Sequence, residues 1–279
     1  MMEQYKEIAE KLRNADAVLI GASNGLSITE GLHLFADNAA FEELFGDFKH
    51  RYGLRCLLHG MAAQWPSEEE KWAFFARMLN HYCVEYKPTQ VMADLKALVQ
   101  DKDYFVVTSN GEGHFQMCGF EPERVYEVEG DWRTMQCSRA CHDTLYPALE
   151  LAEKLVKEEK DGRVPTELVP RCPRCGGSMK IHMEGDAFFV PQTKAIQQYE
   201  DFLRRNQDKN IVVLELGIGW RNQLIKGPLM RFVNRHPKAT YVTINLGEVY
   251  MIPEIQHKSY GLDGYLSDHL SGLRQAYEG

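Results

Sequence analysis

The chain has 279 residues, of which 44% are hydrophobic and 26% are charged, and its net charge is −8. This is the composition of an ordinary globular protein, and the length suffices for one large core or two modest ones. A nucleic-acid-binding protein would usually be basic or carry a basic stripe, which this sequence lacks. Because every apolar run is well short of the roughly 20 residues that cross a bilayer, no membrane segment is expected.

The first third of the chain predicts one strand and several helices. Residues 3–14 have the pattern of an amphipathic helix rather than a signal peptide, so we expect a cytoplasmic protein. A short apolar strand, Ala17 to Ile20, leads into the turn Gly21 to Ser27, which is GASNGLS. Residues 40–91 contain no convincing strand, and the helical periodicity after Ser67 predicts helices there.

Strands and helices alternate in the rest of the chain. We predict helices at 91–100, 144–158, 192–206, 225–235 and 267–277, and strands at 104–107, 124–128, 211–216 and 240–244. This alternation predicts the α/β fold class, with a parallel sheet covered by helices on both faces.

The sheet-forming segments come in three pieces, which predicts two domains. We expect residues 1–39, 92–132 and 191–279 to form a large Rossmann-like domain. The two insertions, 40–91 and 133–190, would pack together as a smaller domain with a helical module and a zinc module.

The turn Gly21 to Ser27 is a candidate nucleotide-binding loop. Glycines after a first strand let the backbone approach a pyrophosphate, whose charge a helix N-terminus stabilises. The turn is not a complete GxGxxG motif, and no acidic residue ends an obvious second strand. A tight turn between strand and helix, without a ligand, is therefore the alternative interpretation.

Four cysteines have the spacing of a metal site. A Cys-x3-Cys pair is followed after 30 residues by a Cys-x2-Cys pair with two glycines behind it: Cys137, Cys141, Cys172 and Cys175. Four thiolates favour tetrahedral Zn²⁺ with no open position, hence a structural site. Scattered buried thiols are the alternative, which we expect for the other three cysteines: Cys56, Cys83 and Cys118.

Polar side chains follow two of the predicted strands where each strand ends. Ser109, Asn110 and Glu112 come after the strand at 104, and Glu129 comes after the strand at 124. Open α/β sheets build active sites at the carboxyl ends of their strands. Solvated loop carboxylates are the alternative for both glutamates, and His114 and His142 are more simply explained as structural residues.

These motifs, with Gly217-Ile218-Gly219 and Thr243-Ile244-Asn245 after the last two strands, resemble those of the sirtuin family in order and over nearly the whole chain. The resemblance implies NAD as co-substrate and one structural Zn²⁺. It also implies NAD contacts at Gly21, Ala22, Ser23, Leu26, Ser27, Phe35, Ser109, Asn110, Glu112, Gly217, Gly219 and Asn245. The family's usual Arg, Gln and His are replaced here by Ala36, Ser109 and Glu129.

Further details, such as GASNGLS, EGD and CS-x-x-CHDTLYP, resemble the macrodomain-linked bacterial class of sirtuins, class M. Members of that class transfer ADP-ribose to a lipoyl-carrying H-like protein. The resemblance thus implies an NAD-dependent protein ADP-ribosyltransferase that releases nicotinamide, with Asn110, Glu112 and Glu129 as catalytic residues. A lipoyl-carrier protein is then a candidate acceptor.

Glu129 leaves the reaction open, because the usual residue is His in the family and Gln in that class. A carboxylate can stabilise an oxocarbenium-like state electrostatically. It can also act as a base if burial raises its pKa. An NAD-dependent protein-lysine deacylase therefore remains an alternative. A catalytically weak NAD-binding module is another, because Ala36 and the altered phosphate loop remove expected contacts.

Overall fold

The computed structural model describes all 279 residues and contains eleven α-helices and nine strands. The helices are α1 (Met2–Arg13), α2 (Asn24–Thr29), α3 (Ala39–Tyr52), α4 (Leu57–Met61), α5 (Glu68–Leu79), α6 (Gln90–Val99), α7 (His114–Met117), α8 (Leu149–Glu158), α9 (Thr193–Asn206), α10 (Lys226–Arg235) and α11 (Leu266–Glu278). The strands are β1 (Ala17–Ala22), β2 (Asp103–Thr108), β3 (Val125–Glu127), β4 (Thr134–Cys137), β5 (Tyr146–Pro147), β6 (Met179–Ile181), β7 (Ile211–Leu216), β8 (Ala239–Asn245) and β9 (Ser259–Asp263). No helix is both long and apolar enough to cross a membrane.

Six strands form one parallel sheet in the order β3-β2-β1-β7-β8-β9. The predicted α/β fold class, a parallel sheet with helices, is confirmed. Strand order changes direction beside β1, because β2 follows on one side and β7 lies on the other. Open α/β sheets bind ligands in the crevice at such a switch point, outside the carboxyl ends of the strands.

Helices cover both faces of this sheet, which explains why the central strands are apolar throughout. All six residues of β1 and of β7 are buried. Side chains of α1, α6 and α11 pack with one face, and side chains of α9 and α10 pack with the other. Glu215 of β7 is the buried exception, and its carboxylate pairs with Lys226 at 2.5 Å.

The two insertions share a separate apolar cluster. It combines buried side chains of α3 and α5, from the first insertion, with side chains of α8, β4 and β6, from the second. The centre of this cluster is aromatic: Phe45 and Phe74 lie 4.8 Å apart between ring centroids. The predicted smaller domain, formed by the two insertions, requires a shared apolar core of this kind.

The structure corrects the sequence-based elements in several places. The helix predicted from 144 begins only at Leu149, because Tyr146–Pro147 pairs with β4 in a small antiparallel sheet, β5-β4-β6. The edge strand β9 was not predicted, since Gly261 interrupts it and it is mostly half-buried. Helix α5 ends at Leu79 and continues as a π-helical turn, Asn80–Val84.

Candidate active site and metal centre

The sequence-predicted site residues lie at the carboxyl ends of the parallel strands. Gly21 and Ala22 end β1, Ser23 caps α2, and Leu26 and Ser27 lie within α2. Ser109, Asn110 and Glu112 follow β2, Gly217 and Gly219 follow β7, and Asn245 ends β8. These residues therefore lie along one edge of the sheet, around the switch point beside β1 where the strand order reverses.

The turn after β1 packs directly on the loop after β7. The amide of Gly25 donates to the carbonyl oxygen of Gly217 at 3.0 Å. A Cβ on Gly25 would lie 2.5 Å from the Gly217 backbone, and a Cβ on Gly217 would lie 2.6 Å from the Gly25 backbone. Gly217 also has φ +62°, a left-handed conformation that favours glycine.

Hydroxyl and amide groups join the ends of β1, β2 and β7. Ser109 Oγ donates to Ser23 Oγ at 2.9 Å, and Asn222 Nδ2 donates to the same oxygen at 2.8 Å. Asn110 Nδ2 donates to the Ser23 carbonyl oxygen at 3.2 Å, while its Oδ1 is buried without a partner. Asn222 was not among the predicted site residues, although its place after a central strand was a usable signal.

Glu112 is buried in the middle of this group, with 3% of its surface exposed. Ser27 Oγ donates to its Oε1 at 2.6 Å, which ties α2 to the turn after β2. His114 Nδ1 lies 3.7 Å from the same oxygen. The structure therefore brings Ser27 and Glu112 into contact and shows that Glu112 is not a solvated loop carboxylate.

The turn that carries Glu129 lies beside the turn that carries Glu112. The amide of Trp132 donates to the Gly111 carbonyl oxygen at 2.8 Å, and a Cβ on Gly111 would meet the Trp132 indole. Glu129 itself is half-buried. Burial, and then the negative charge of Glu184, raises its pKa above the ordinary value.

A second buried carboxylate, Glu127, lies two residues earlier at the end of β3. Burial raises its pKa well above the ordinary value, and the charge of Asp131 acts in the same direction. Arg133 opposes that shift: it lies 3.4 Å from Glu127 and donates to Asp131 at 2.7 Å. The sequence analysis missed Glu127 and Arg133, because neither is distinguished from ordinary charged residues by spacing.

Three predicted contact residues lie apart from this hydrogen-bonded group. Phe35 is 52% exposed in the loop after α2, where its ring meets the edge of His33. Asn245 Nδ2 donates to the Glu248 carbonyl oxygen at 2.8 Å. Gly219 has open space around it, with Glu248 as its nearest neighbour. No protein hydrogen bond joins Phe35, Gly219 or Asn245 to Glu112 or Ser23.

The four cysteines converge as the spacing predicted. Their sulfur atoms all lie within 4.8 Å of one another. Cys137 and Cys175 are 3.7 Å apart between sulfurs, and Cys141 and Cys172 are 3.6 Å apart. Zinc–sulfur bonds of about 2.3 Å in a tetrahedron place sulfurs about 3.8 Å apart, so this set fits Zn²⁺.

Local hydrogen bonds favour the thiolate of Cys175, one of the four cysteines. Donation from the Gly177 amide, and then from Arg139, lowers the pKa of Cys175 to about 6. His142 Nδ1 lies 3.0 Å from Cys141 Sγ, while its Nε2 lies 2.8 Å from the Tyr146 hydroxyl. His142 thus lies beside the four sulfurs and fixes one of them, a contact that the sequence did not reveal.

Two curated proteins are similar to this chain in sequence. It is 31% identical over 275 residues to the protein ADP-ribosyltransferase of Staphylococcus aureus, covering 94% of this chain and 85% of that protein. It is 28% identical over 257 residues to a Fusarium oxysporum f. sp. cubense protein named "Probable bifunctional ADP-ribose hydrolase/ADP-ribosyltransferase". That match covers 88% of this chain but 42% of the fungal protein, so the chain spans less than half of it. No protein-family model matches the chain.

Two solved structures share the fold. A Sir2 homologue in complex with NAD superposes with a TM-score of 0.69 at 13% identity, covering 98% of this chain and 93% of that one. A mutant Sir2 homologue in complex with ADP-ribose gives a TM-score of 0.67 at 13% identity, covering 98% and 96%. The fold is therefore that of the Sir2 proteins, the sirtuins. Within this fold, the chain belongs to the family of the staphylococcal protein ADP-ribosyltransferase.

Proposed function

We propose that this protein is an NAD-dependent protein ADP-ribosyltransferase, which transfers ADP-ribose from NAD to a protein acceptor and releases nicotinamide. The observation that carries the proposal is the buried Glu112, held by Ser27 at the switch point of the sheet. A buried carboxylate beside an unpartnered amide oxygen, Asn110 Oδ1, is suited to bind a polar ligand. Kinship with the staphylococcal enzyme supports the reaction class.

NAD would lie across the carboxyl ends of β1, β2, β7 and β8. The pyrophosphate approaches the backbone where Gly25 meets Gly217, because no side chain stands between the two loops. Asn110 and Glu112 hold the nicotinamide ribose. Asn245 takes the adenine ribose, and the exposed Phe35 covers the nicotinamide side. Phe35 and Asn245 would thus contact opposite ends of the dinucleotide, Phe35 the nicotinamide end and Asn245 the adenine end.

The reaction begins when the bond between the ribose C1′ and the nicotinamide nitrogen breaks, and its electron pair leaves with nicotinamide. Positive charge then develops at C1′, where the Glu129 carboxylate stabilises it. The acceptor's nucleophile bonds to C1′ and gives up its proton. That proton passes to water, so transfer needs Glu129 for its negative charge and not as a base.

The four-cysteine centre has no part in these steps. Its four thiolates fill a tetrahedral coordination sphere, so a bound Zn²⁺ would keep no open position for a substrate. The ion would contribute folding free energy instead.

The raised pKa of Glu129 favours one second candidate, a protein-lysine deacylase. Deacylation needs a base that takes a proton from a ribose hydroxyl, and His usually has that role. The half-buried Glu129, with its raised pKa, can act in its place, whereas a glutamine cannot. Substitution of Glu129 is therefore the change that best distinguishes ADP-ribosyl transfer from deacylation.

The proposed function is tested by supplying NAD labelled in its adenylate part together with protein acceptors, of which a lipoyl-carrying H-like protein is the first to try. We expect covalent label on the acceptor. Glu129→Gln should reduce labelling only about tenfold, because an amide still presents a partial negative charge. Glu112→Ala should abolish it.

Parallel assays with acyl-lysine peptides test the second candidate. Removing a general base costs about 10²–10⁴ in rate, so a deacylase would lose its activity in Glu129→Gln. Glu123→Gln is the matched control, since it makes the same change at an exposed glutamate and leaves Glu129 in place. Robust formation of acyl-ADP-ribose with no labelled acceptor would contradict our proposal, and NAD binding without nicotinamide release would indicate a binding module.

A further inference from the structure

His114 connects Glu112 with the segment that follows α5. The imidazole is buried, with 4% of the residue exposed, and it stacks on Tyr86 with ring centroids 3.7 Å apart. Nε2 lies 2.8 Å from the carbonyl oxygen of Tyr82, in the π-helical turn. Nδ1 has no hydrogen-bond partner, and it lies 3.7 Å from Glu112 Oε1.

The contact with Tyr82 fixes which nitrogen carries a proton. A carbonyl oxygen can only accept, so Nε2 must donate. In the neutral ring, Nδ1 would then direct a lone pair at an acceptor, Glu112 Oε1. A buried nitrogen without a partner also costs free energy. A second proton, on Nδ1, removes both the repulsion between the Nδ1 lone pair and the carboxylate and the cost of an unpartnered nitrogen. The reason is that Nδ1–H can donate to the carboxylate.

Apart from His114, no basic group near Glu112 is free to face it. The titratable groups facing this region are Cys83, Tyr86, Glu127, Asp131 and Arg133. Burial, followed by the charge of Glu112, raises the pKa of Cys83, so this thiol stays uncharged. Burial also raises the pKa of Tyr86, whose hydroxyl donates to Glu30 at 2.6 Å. Arg133 is the one other cation, and it is paired with Asp131 and Glu127.

Ser27 and His114 both face the same oxygen of Glu112. Ser27 Oγ donates to Oε1 at 2.6 Å, and His114 Nδ1 faces that same atom. No hydrogen bond from the protein reaches Oε2. We propose that His114 is a positioning residue, whose Nδ1–H holds Glu112 so that Oε2 faces the ribose of bound NAD. This inference rests on the proposed function, and the 3.7 Å separation closes when the ligand is bound, as hydrogen bonds of active sites commonly do.

Two variants separate this role from a purely structural one. In His114→Asn, the amide nitrogen stands near the place of Nδ1 and can still donate to Glu112, but the bond to Tyr82 is lost. In His114→Gln, the amide nitrogen stands near the place of Nε2 and keeps the bond to Tyr82, but the donor to Glu112 is lost. The two substitutions therefore remove one hydrogen bond each.

We expect His114→Gln to lower kcat/KM for nicotinamide release from NAD by about tenfold to a hundredfold, the effect of a misplaced group. Its thermal unfolding should stay near that of the wild type. His114→Asn should keep most of the activity and lose stability. In a Glu112→Gln background, His114→Gln should have no further effect.

The opposite ranking, with glutamine active and asparagine inactive, would overturn the proposal, as would additive effects of His114→Gln and Glu112→Gln. If the wild-type protein binds NAD without releasing nicotinamide, the proposed function fails but the positioning role is still tested. Calorimetric titration with NAD then replaces the rate measurement. His114→Gln should weaken binding and His114→Asn should not, and equal affinities would refute the role.

Discussion

Gly25 and Gly217, almost two hundred positions apart in the sequence, touch backbone to backbone at the switch point of the sheet. Each occupies the space that a Cβ on the other would need. The contact sets the separation of the turn after β1 and the loop after β7, which are the two loops proposed to hold the NAD pyrophosphate. A side chain at either position would move both loops apart.

Gly217→Ala should therefore abolish NAD binding and destabilise the protein. Gly247→Ala is its control, because Gly247 has φ +74° but no atom within 4 Å of a Cβ. The left-handed conformation alone costs about 1–2 kcal/mol for a non-glycine residue. We expect both variants to lose about this much free energy of unfolding, and Gly217→Ala to lose more. Gly247→Ala should keep normal NAD affinity. Denaturant unfolding and NAD titration measure both effects, and equal behaviour of the two variants would contradict the contact's role.

Metal analysis should find about one zinc per chain, because four thiolates form one tetrahedral set. Cys172→Ser should abolish zinc binding and unfold the metal module, since structural zinc contributes about 10–16 kcal/mol in isolated zinc-finger peptides. Cys56→Ser is the control: this thiol is buried but lies outside the cluster. A metal-free protein that unfolds like the wild type would disprove the zinc site.

Stability should depend on pH through Glu127. Because burial raises the pKa of this carboxyl in the folded state, folding favours its protonated form. Its contribution is fully present below the unfolded pKa of about 4.3, and it is lost as pH rises through the raised folded pKa. Glu127→Gln should therefore be relatively more stable than the wild type at neutral pH than at acidic pH. Thermal unfolding across this range measures the difference, and parallel curves for the two proteins would contradict it.

Asn222→Ala should weaken NAD binding although Asn222 resembles no family motif. Its amide donates to both Ser23 and Ser109, so its loss frees two hydroxyls at the proposed cofactor site. Each lost hydrogen bond is worth about 1 kcal/mol, so we expect roughly a tenfold rise or more in the NAD dissociation constant. Gln223→Ala changes the next, exposed residue and should have no effect on binding. Calorimetry compares the two variants.

The sequence predicted those parts of the fold whose signals are local. Strand β7 was predicted from Ile211 to Leu216, as observed, because five of its six residues are apolar. Cysteine spacing predicted the metal cluster for a similar reason, since ligand spacing reflects the turn that brings sulfurs together. The strands β4, β5 and β6 were missed because two to four residues are too few to show a period.

The site was only partly predictable, because its contacts join distant segments. Glu112 was named from its place after a strand, but nothing in the sequence showed that Ser27 would bond to it. Glu127 was missed because a buried glutamate looks like an exposed one until Arg133 and Asp131 are placed around it. The link from His114 to Tyr82 depends on the π-helical turn, which periodicity alone extends as an ordinary helix.

The metal module is connected to the turn that bears Glu129 both through the polypeptide chain and through hydrogen bonds. Strand β6 runs from the Cys172–Cys175 knuckle to His182, whose Nδ1 accepts from the Asp131 amide. Two residues on, the Glu184 amide donates to the Glu129 carbonyl oxygen at 2.8 Å. Loss of zinc would therefore disturb the turn that bears Glu129 through these two hydrogen bonds, at the end of β6 that lies away from the four cysteines.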